Sequence, residues 1–200
     1  MKNKLIEAII KRRSIYGLKN GSPIIDHDLK EILSIVLTNV PSAFNSQSAR
    51  FVLLLNENHR KLWDITKEVL RAKLTDNRMK ATEEKIDTAF ASGYGTILFF
   101  EDQEVIEKLQ AQFPGYADNF PVWSAHSAGM HQFVVWTMLA DVGLGASLQH
   151  YNPLIDERVK NEWNINPKWK LIAQMPFGMP TAEPGKKEVN PLDTRLLIFE

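Results

Sequence analysis

The stretch VWSAHSAGMHQFVVWTMLADV, residues 122–142, decides how this chain folds. It is long enough for a helix, and its side chains are apolar or small on nearly every side. A helix without a polar face is buried on most sides, so we expect this one in a core or in an interface. Gly143 follows it and predicts the end of the helix, because glycine readily takes the left-handed conformation that closes helices.

The segments around this helix alternate between two hydrophobic patterns. Short continuous apolar runs predict buried strands, and apolar residues spaced three and four apart predict amphipathic helices. The predicted strands are residues 51–55, 96–101, 145–149 and 171–178, and the other predicted helices are residues 5–13, 26–37, 58–70, 102–113 and 156–163. Asp26 and Asp102 are the expected N-caps of two helices, and the charged stretch 75–87 is expected at the surface. More residues are predicted in helices than in strands, and the two alternate along the chain, which indicates an α+β or α/β fold around one central sheet.

The composition indicates a single globular domain spanning residues 1–200. Of the 200 residues 44% are apolar, and 24 basic side chains balance 24 acidic ones, so nucleic acid is not an expected partner. The sequence has no cysteine, which excludes disulfides and thiol nucleophiles. No stretch has the roughly 20 apolar residues that span a bilayer, and residues 1–14 lack the pattern of a secretory signal. We therefore expect a cytoplasmic protein without membrane association.

Spacing excludes several familiar catalytic sites. His126 and His131 lie five residues apart, which places them about 140° apart around a helix, so they do not form a pair of metal ligands. The sequence GLGAS at 143–147 has two glycines of a dinucleotide-binding fingerprint, but it lacks the third and follows a helix instead of a strand. No metal site and no such dinucleotide site is expected.

Three polar clusters remain as candidate binding sites. Residues 11–14 place two guanidinium groups and a hydroxyl where a helix ends, which suits a phosphate monoester, although helix-dipole effects also favour basic residues there. Loop 41–48 carries amides and hydroxyls that suit a heterocycle such as a flavin or pterin, or that bond to their own backbone. Residues 149–153 follow a short strand, and ligands often bind at strand ends in layered folds.

These motifs together resemble the FMN-dependent nitroreductase superfamily, and most of all its short subgroup from fungi and Gram-positive bacteria. The resemblance implies an α+β nitroreductase-like fold, with a central antiparallel sheet flanked by helices, that forms an intertwined homodimer with two FMN molecules at the interface. A helix that is apolar all round suits such an interface. The motifs are RRSIY at 12–16, PSAFNSQSARFVLL at 41–54, ASGYGTILFFED at 91–102, FPVWSAHSAGMHQFVVWTMLADVGLGASLQHYNPLID at 120–156 and WKLIAQMPFGMPTAEPGKKE at 169–188.

The resemblance also implies which residues contact FMN. One set holds the phosphate, a second reaches the flavin from the partner subunit, and a third lies along the isoalloxazine. In that order they are Arg12, Arg13 and Ser14, with Lys186 and Lys187 as the nearest additional cations; Pro41, Ser42, Asn45 and Gln47; and Leu148, Gln149 and His150.

Two departures from the family pattern each remove a cation. Many members read R-R-S-x-R where this chain has Tyr16, and many read R-K-P near the C-terminus where it has Val189-Asn190-Pro191. The phosphate is then held by fewer charges unless Lys186 or Lys187 substitutes. Tyr16 is an alternative cover for the phosphate or the ribityl chain.

The chemistry that the resemblance implies belongs to the flavin, so no side chain is expected to act as a catalytic acid or nucleophile. NADH or NADPH would deliver a hydride to N5, and a nitroaromatic or a quinone would then take the electrons in a ping-pong cycle. The alternatives are a flavin-consuming or dehalogenating relative, an FMN-holding redox sensor with little turnover, and a helical module without cofactor. Aromatic side chains that are candidate walls for a flat acceptor, or else ordinary core residues, are Phe44, Tyr94, Phe120 and Trp123.

Overall fold

An antiparallel sheet forms the centre of the computed structural model, which describes residues 3–200. Its strands are β1 (Leu18–Lys19), β2 (Ala49–Leu55), β3 (Gly95–Asp102), β4 (Gly145–Ala146) and β5 (Trp169–Pro180). Its helices are α1 (Lys4–Lys11), α2 (Asp26–Asn39), α3 (Asn56–Arg71), α4 (Asp76–Ile86), α5 (Gln103–Gln112), α6 (Phe120–Asp141) and α7 (Asp156–Glu162). The strand order is β1-β5-β3-β2, and β4 pairs with β5. The predicted α+β class with a central antiparallel sheet is confirmed.

Strand β3 lies in the middle of the sheet and is buried along its whole length. Because successive side chains of a strand point to opposite faces, its apolar run supplies two cores at once. Leu98 and Phe100 pack with α3, α4 and α7, whereas Ile97 and Phe99 pack with α2 and α6. The sheet is therefore covered by helices on both faces, which explains why its central strands are continuously apolar and do not alternate.

Helix α6 confirms the long apolar helix that the sequence predicts, within two residues at its start. Val135 and Leu139 face the sheet and are fully buried. Met130 and Phe133 point the other way and keep 42% of their surface exposed. One chain therefore covers only one side of this helix and leaves the other side uncovered.

Several element boundaries differ from the sequence predictions, for local reasons. Asp26 is not an N-cap, because α2 begins at Asp26 itself and its carboxylate accepts a hydrogen bond from the Tyr94 hydroxyl at 2.7 Å. Helix α3 begins at Asn56, directly after β2, and the Asn58 side chain instead accepts from the Trp163 indole at 2.9 Å. Asp102 is an N-cap as predicted, since its carboxylate accepts from the backbone N–H of Glu104.

Two other segments also differ. The charged stretch 75–87 contains helix α4, whose Met79 and Ile86 are buried although most of its other side chains are exposed. The predicted strand 145–149 is shorter than expected, because only Gly145 and Ala146 form β4. Among residues 3–200, no helix combines the length and apolarity required to cross a membrane.

A buried imidazole joins α3 to the sheet. The Thr96 hydroxyl lies 3.1 Å from the Trp63 indole nitrogen and 2.9 Å from His59 Nδ1. Burial, the largest cause, lowers the pKa of His59 to about 4, so the ring is neutral at pH 7. The Ala91 carbonyl, 3.2 Å from Nε2, only accepts, so Nε2 carries the proton and donates to it. Nδ1 therefore accepts from the Thr96 hydroxyl, which in turn accepts from the Trp63 indole.

The low pKa of His59 makes stability depend on pH. An unfolded chain binds a proton at this ring near pH 6.5, whereas the folded protein binds it only near pH 4. Stability is therefore full above pH 6.5 and falls as the pH drops toward 4, by about 3 kcal/mol from this group. His59→Gln removes the titration, so urea unfolding between pH 7 and 4 should show a weaker pH dependence in this variant than in the wild type. His27→Gln, at an exposed position, is the control; equal pH dependence in all three proteins would contradict the assignment.

Candidate functional site

The segment after α1 runs along strand β4. Helix α1 ends at Lys11, and its C-cap Arg12 takes an extended conformation. Ser14 forms a parallel bridge with Ala146, and the Ile15 backbone N–H donates to the Ala146 carbonyl at 2.9 Å. The two arginines and the serine that follow the helix are thus held in a fixed register against the sheet.

A cavity of about 420 Å³ lies between this segment and the C-terminal tail. Arg13, Ser14 and Tyr16 line one side, and Glu183 and Lys186 line the other. The Arg13 guanidinium donates to the Gly185 carbonyl at 2.9 Å, which ties the tail to the segment. The structure therefore brings together Arg13, Ser14 and Lys186, as well as Tyr16, whereas Lys187 does not line this cavity.

Arg12 does not line the cavity. Its guanidinium lies over the Trp136 ring of α6, 4.5 Å from the ring centroid, and 5.9 Å from that of Phe133. This is a cation–π arrangement. Burial, followed by the charge of Arg13, lowers the pKa of Arg12, and its buried Nε has no hydrogen-bond partner among the described residues. The two adjacent arginines thus have different environments: Arg12 stacks on Trp136, and Arg13 lines the cavity.

Loop 41–48 has an unusual backbone that is fixed at both ends. Phe44, Asn45 and Gln47 all have positive φ, near 50°. The Ser42 hydroxyl accepts from the Gln47 backbone N–H at 3.0 Å, so this serine bonds to its own loop. At the start of the loop, Ser127 of α6 donates to the Pro41 carbonyl at 3.1 Å.

The amide side chains of this loop point outward. Asn45 and Gln47 are exposed, and no protein group in residues 3–200 bonds to either side-chain amide. At the end of the loop, the Arg50 guanidinium donates to the Gln47 carbonyl at 2.7 Å and pairs with Asp102 at 3.0 Å. The loop therefore presents two exposed amides on a backbone that is tied to other parts of the chain at Pro41 and Gln47.

The residues after β4 stay against the sheet. Gln149 exchanges backbone hydrogen bonds with Gln174 of β5, at 2.7 and 2.9 Å, and its side chain donates to Ser147. Leu148 packs against the core on the α2 and α6 side, and His150 is exposed. These three residues form a short edge beside β5.

Aromatic rings cluster beside loop 41–48. The Phe44 and Trp123 rings are nearly parallel, with centroids 5.9 Å apart, and Phe120 packs edge-on against both. Phe44 and Trp123 line a cavity of about 350 Å³ together with Ala43, His126 and Met130. Tyr94, the fourth candidate wall, lies apart from this cluster, where it packs against Phe177 and bonds to Asp26.

Within one chain the predicted residues thus form separate groups. The cavity beside Arg13 and the cavity beside Phe44 share no lining residue. Sequence reasoning missed three residues whose side chains bond to loop 41–48, namely Arg50, Glu101 and Ser127. A charged residue inside the apolar run TILFFE was the signal for Glu101, because carboxylates are rarely buried without partners. No group of three or more His, Asp or Glu side chains in the described part of the chain is arranged to hold a metal ion.

Comparison with known proteins places this architecture in a family of oxidoreductases. The profile of the nitroreductase family matches residues 9–179, so the chain belongs to the nitroreductase family. The nitroreductase FRM2 of Saccharomyces cerevisiae is 39% identical over 184 residues, which cover 91% of each chain. The resemblance that the motifs predict is therefore confirmed.

Solved structures agree with this assignment. The nitroreductase CinD from Lactococcus lactis, in complex with 4-nitrophenol, is 42% identical, with a TM-score of 0.89 over 98% of this chain and 99% of that one. A nitroreductase with bound FMN from Desulfitobacterium hafniense has the same fold, with a TM-score of 0.72 over the whole of both chains, at 15% identity. The nitroreductase-like fold is thus established.

Proposed function

We propose that this protein is an FMN-dependent NAD(P)H oxidoreductase that reduces nitroaromatics or quinones by two-electron ping-pong hydride transfer. The cavity of Arg13, Ser14 and Lys186 carries the proposal, because it offers two cations and a hydroxyl to a phosphate monoester. Arg13 commits one hydrogen bond to Gly185, and a guanidinium has five N–H donors, so donors remain for a ligand. The family assignment and the FMN-bound relative of the same fold support flavin as that ligand.

This cavity offers one replacement for the two cations that the family pattern has and this chain lacks. Lys186 lines the cavity opposite Arg13 and is the replacement cation that we propose, in preference to Lys187. Tyr16 lines the same cavity and would cover the phosphate or the ribityl chain. We assign Arg12 a supporting part, since its guanidinium is stacked on Trp136 and its charge adds to the positive field beside Arg13.

The polar loops fit the heterocyclic end of the cofactor. The exposed amides of Asn45 and Gln47 offer both donors and acceptors, which matches the pyrimidine edge of a flavin. Pro41 and Ser42 would contribute the shape of the loop, because Ser42 is bonded to the Gln47 backbone. Leu148, Gln149 and His150 form an edge along β5 against which the isoalloxazine would lie.

When bound, FMN would accept a hydride from NADH or NADPH and then reduce the acceptor. The protein's residues need not supply a catalytic acid or nucleophile. Their work is to hold the phosphate, to direct amide groups at the ring edge and to keep one ring face open to flat molecules.

The aromatic cavity beside loop 41–48 indicates the acceptor class. Phe44 and Trp123 line a space of about 350 Å³ whose walls are nearly all apolar. Flat, electron-poor rings such as nitroaromatics and quinones stack well on such aromatic faces. CinD, a relative at 42% identity, has been solved in complex with 4-nitrophenol.

A homodimer would unite the separate groups of site residues. Helix α6 leaves Met130 and Phe133 uncovered, and Ile10 of α1 and Phe199 of the tail are 72% and 92% exposed. Apolar surfaces of this kind mark interfaces between chains. We propose that a second copy covers them and that loop 41–48 of one copy meets the Arg13 cavity of the other.

The visible spectrum tests the function directly. Full-length protein is mixed with FMN, desalted, and followed anaerobically during addition of NADH or NADPH and then of 4-nitrophenol or a quinone. We expect retained flavin absorbance that bleaches with the donor and returns with the acceptor. Retained colour without bleaching would contradict an enzyme and favour a redox sensor, and a colourless protein would contradict flavin binding.

Replacing Arg13 tests the phosphate site. Arg13→Ala should weaken FMN binding at least tenfold, because a charge-assisted hydrogen bond contributes about 1.5–3 kcal/mol. Lys186→Ala should weaken it by a smaller factor through loss of one positive charge. Fluorescence titration of FMN measures both, with Lys187→Ala as the control at an exposed position outside the cavity. Equal affinities of the Arg13 and Lys187 variants would disprove the assignment.

Placing a charge on the uncovered side of α6 tests the dimer. Met130→Asp should convert the wild-type dimer, of twice 22.9 kDa, into monomer, because a buried unpaired carboxylate is costly. Leu154→Asp is the control, since Leu154 is equally exposed, at 43% against 42%, but lies next to the core residue Ile155 on the α3 side of the sheet. Sedimentation equilibrium distinguishes the species; a monomeric wild type would rule the dimer out.

A further inference from the structure

Glu101 is a buried carboxylate for which the proposed function has no role. It lies near the end of β3, only 2% exposed, directly after the core residues Phe99 and Phe100. Burying a charged group is unfavourable unless hydrogen bonds compensate for lost water. A carboxylate at this position therefore needs a reason other than packing.

The carboxylate of Glu101 makes its hydrogen bonds to residues 3–200 through one oxygen. Its Oε2 accepts from the Ser48 hydroxyl at 2.5 Å and from the Ser124 hydroxyl at 2.7 Å. Its Oε1 is buried and has no hydrogen-bond partner among the described residues. Burial, the largest cause, raises the pKa of Glu101, against the lowering effects of the two serines, His131 and Arg50.

The two serines belong to different parts of the candidate site. Ser48 is the last residue of loop 41–48, and Ser124 lies in α6 next to Trp123 of the aromatic cavity. One carboxylate oxygen thus joins the loop that carries Asn45 and Gln47 to the helix that carries the aromatic wall.

This junction matters because the loop backbone is not self-supporting. Phe44, Asn45 and Gln47 have positive φ, a conformation that is unfavourable for residues other than glycine. The loop therefore keeps this backbone only where contacts with the rest of the chain fix it. The Ser127 bond to Pro41 holds the first end, and Arg50, paired with Asp102, holds the Gln47 carbonyl. The Asp102 backbone N–H donates to the Ser48 carbonyl at 2.9 Å, and Glu101 adds a side-chain link at the same residue, from Ser48 to α6.

We propose that Glu101 is a positioning residue that locks loop 41–48 onto α6 and so fixes the direction of the Asn45 and Gln47 amides. It acts through Ser48 and Ser124 and touches neither cofactor nor substrate. The link to flavin binding rests on the proposed function; the locking of the loop does not.

Two substitutions separate positioning from general stability. Glu101→Leu keeps the volume but removes the acceptor, so the buried hydroxyls of Ser48 and Ser124 lose their partner and the thermal midpoint should fall modestly. Glu101→Gln keeps a carbonyl oxygen that accepts from both serines. We expect hydrogen exchange of the loop amides, residues 43–48, to become at least tenfold faster in the leucine variant while the amides of β3 keep their slow exchange, and we expect the glutamine variant to restore slow exchange in the loop.

Hydrogen exchange is measured on full-length protein without FMN, so it decides the locking role even if the proposed function fails. FMN titration of the same variants gives the second readout: about tenfold weaker binding for Glu101→Leu and less than threefold for Glu101→Gln. Unchanged exchange in the leucine variant, or a loosened loop without any loss of FMN affinity in a wild type that binds FMN, would overturn the proposal.

Two further variants protect the test against misfolding. Ser124→Ala removes one donor to Glu101 and should speed exchange of the loop amides in the same direction. Thr137→Val is the matched control, because the Thr137 hydroxyl lies on the same helix and, among residues 3–200, bonds to the Phe133 carbonyl alone. Equal exchange rates in these two variants would contradict a link through Glu101.

Discussion

Helix α6 has apolar side chains around its whole circumference, and one sheet covers only one side of a helix. The sheet buries Val135 and Leu139 completely, whereas Met130 and Phe133 on the other side stay 42% exposed. The same helix supplies Trp136 as the surface under Arg12, Ser127 and Ser124 as anchors for loop 41–48, and Trp123 as an aromatic wall. Arg12, loop 41–48 and the aromatic cavity thus all contact a single helix whose own burial is incomplete in one chain.

The regular elements were predictable because their hydrophobic patterns are strong. The run TILFFE has the length of a strand and is apolar at successive positions, and the sheet does place it between two helical layers. The start of α3 was not predictable, because Asn56 follows β2 without a turn and the side chain of Asn58, where the helix was predicted to begin, bonds to Trp163 over 100 residues away. Local patterns carry no information on such distant partners.

The candidate site was likewise predictable only in part. Of the predicted phosphate ligands, Arg13, Ser14 and Lys186 line one cavity, and the aromatic residues Phe44 and Trp123 also meet. Tyr94 does not join them, because its hydroxyl is bonded to Asp26. The different surroundings of Arg12 and Arg13 were not foreseeable either, since extended backbone sends adjacent side chains in opposite directions and only the fold determines what each one meets.

The bond between Arg13 and the Gly185 carbonyl joins positions 172 residues apart in the chain. During synthesis, α1 and the arginines after it leave the ribosome long before the tail exists, so no partially made chain can close this cavity. The contact between Arg13 and Gly185 also forms late in folding, because closing a loop of 172 residues costs chain entropy. A nascent chain therefore lacks the complete cavity beside Arg13 and acquires it only after residue 185 has emerged.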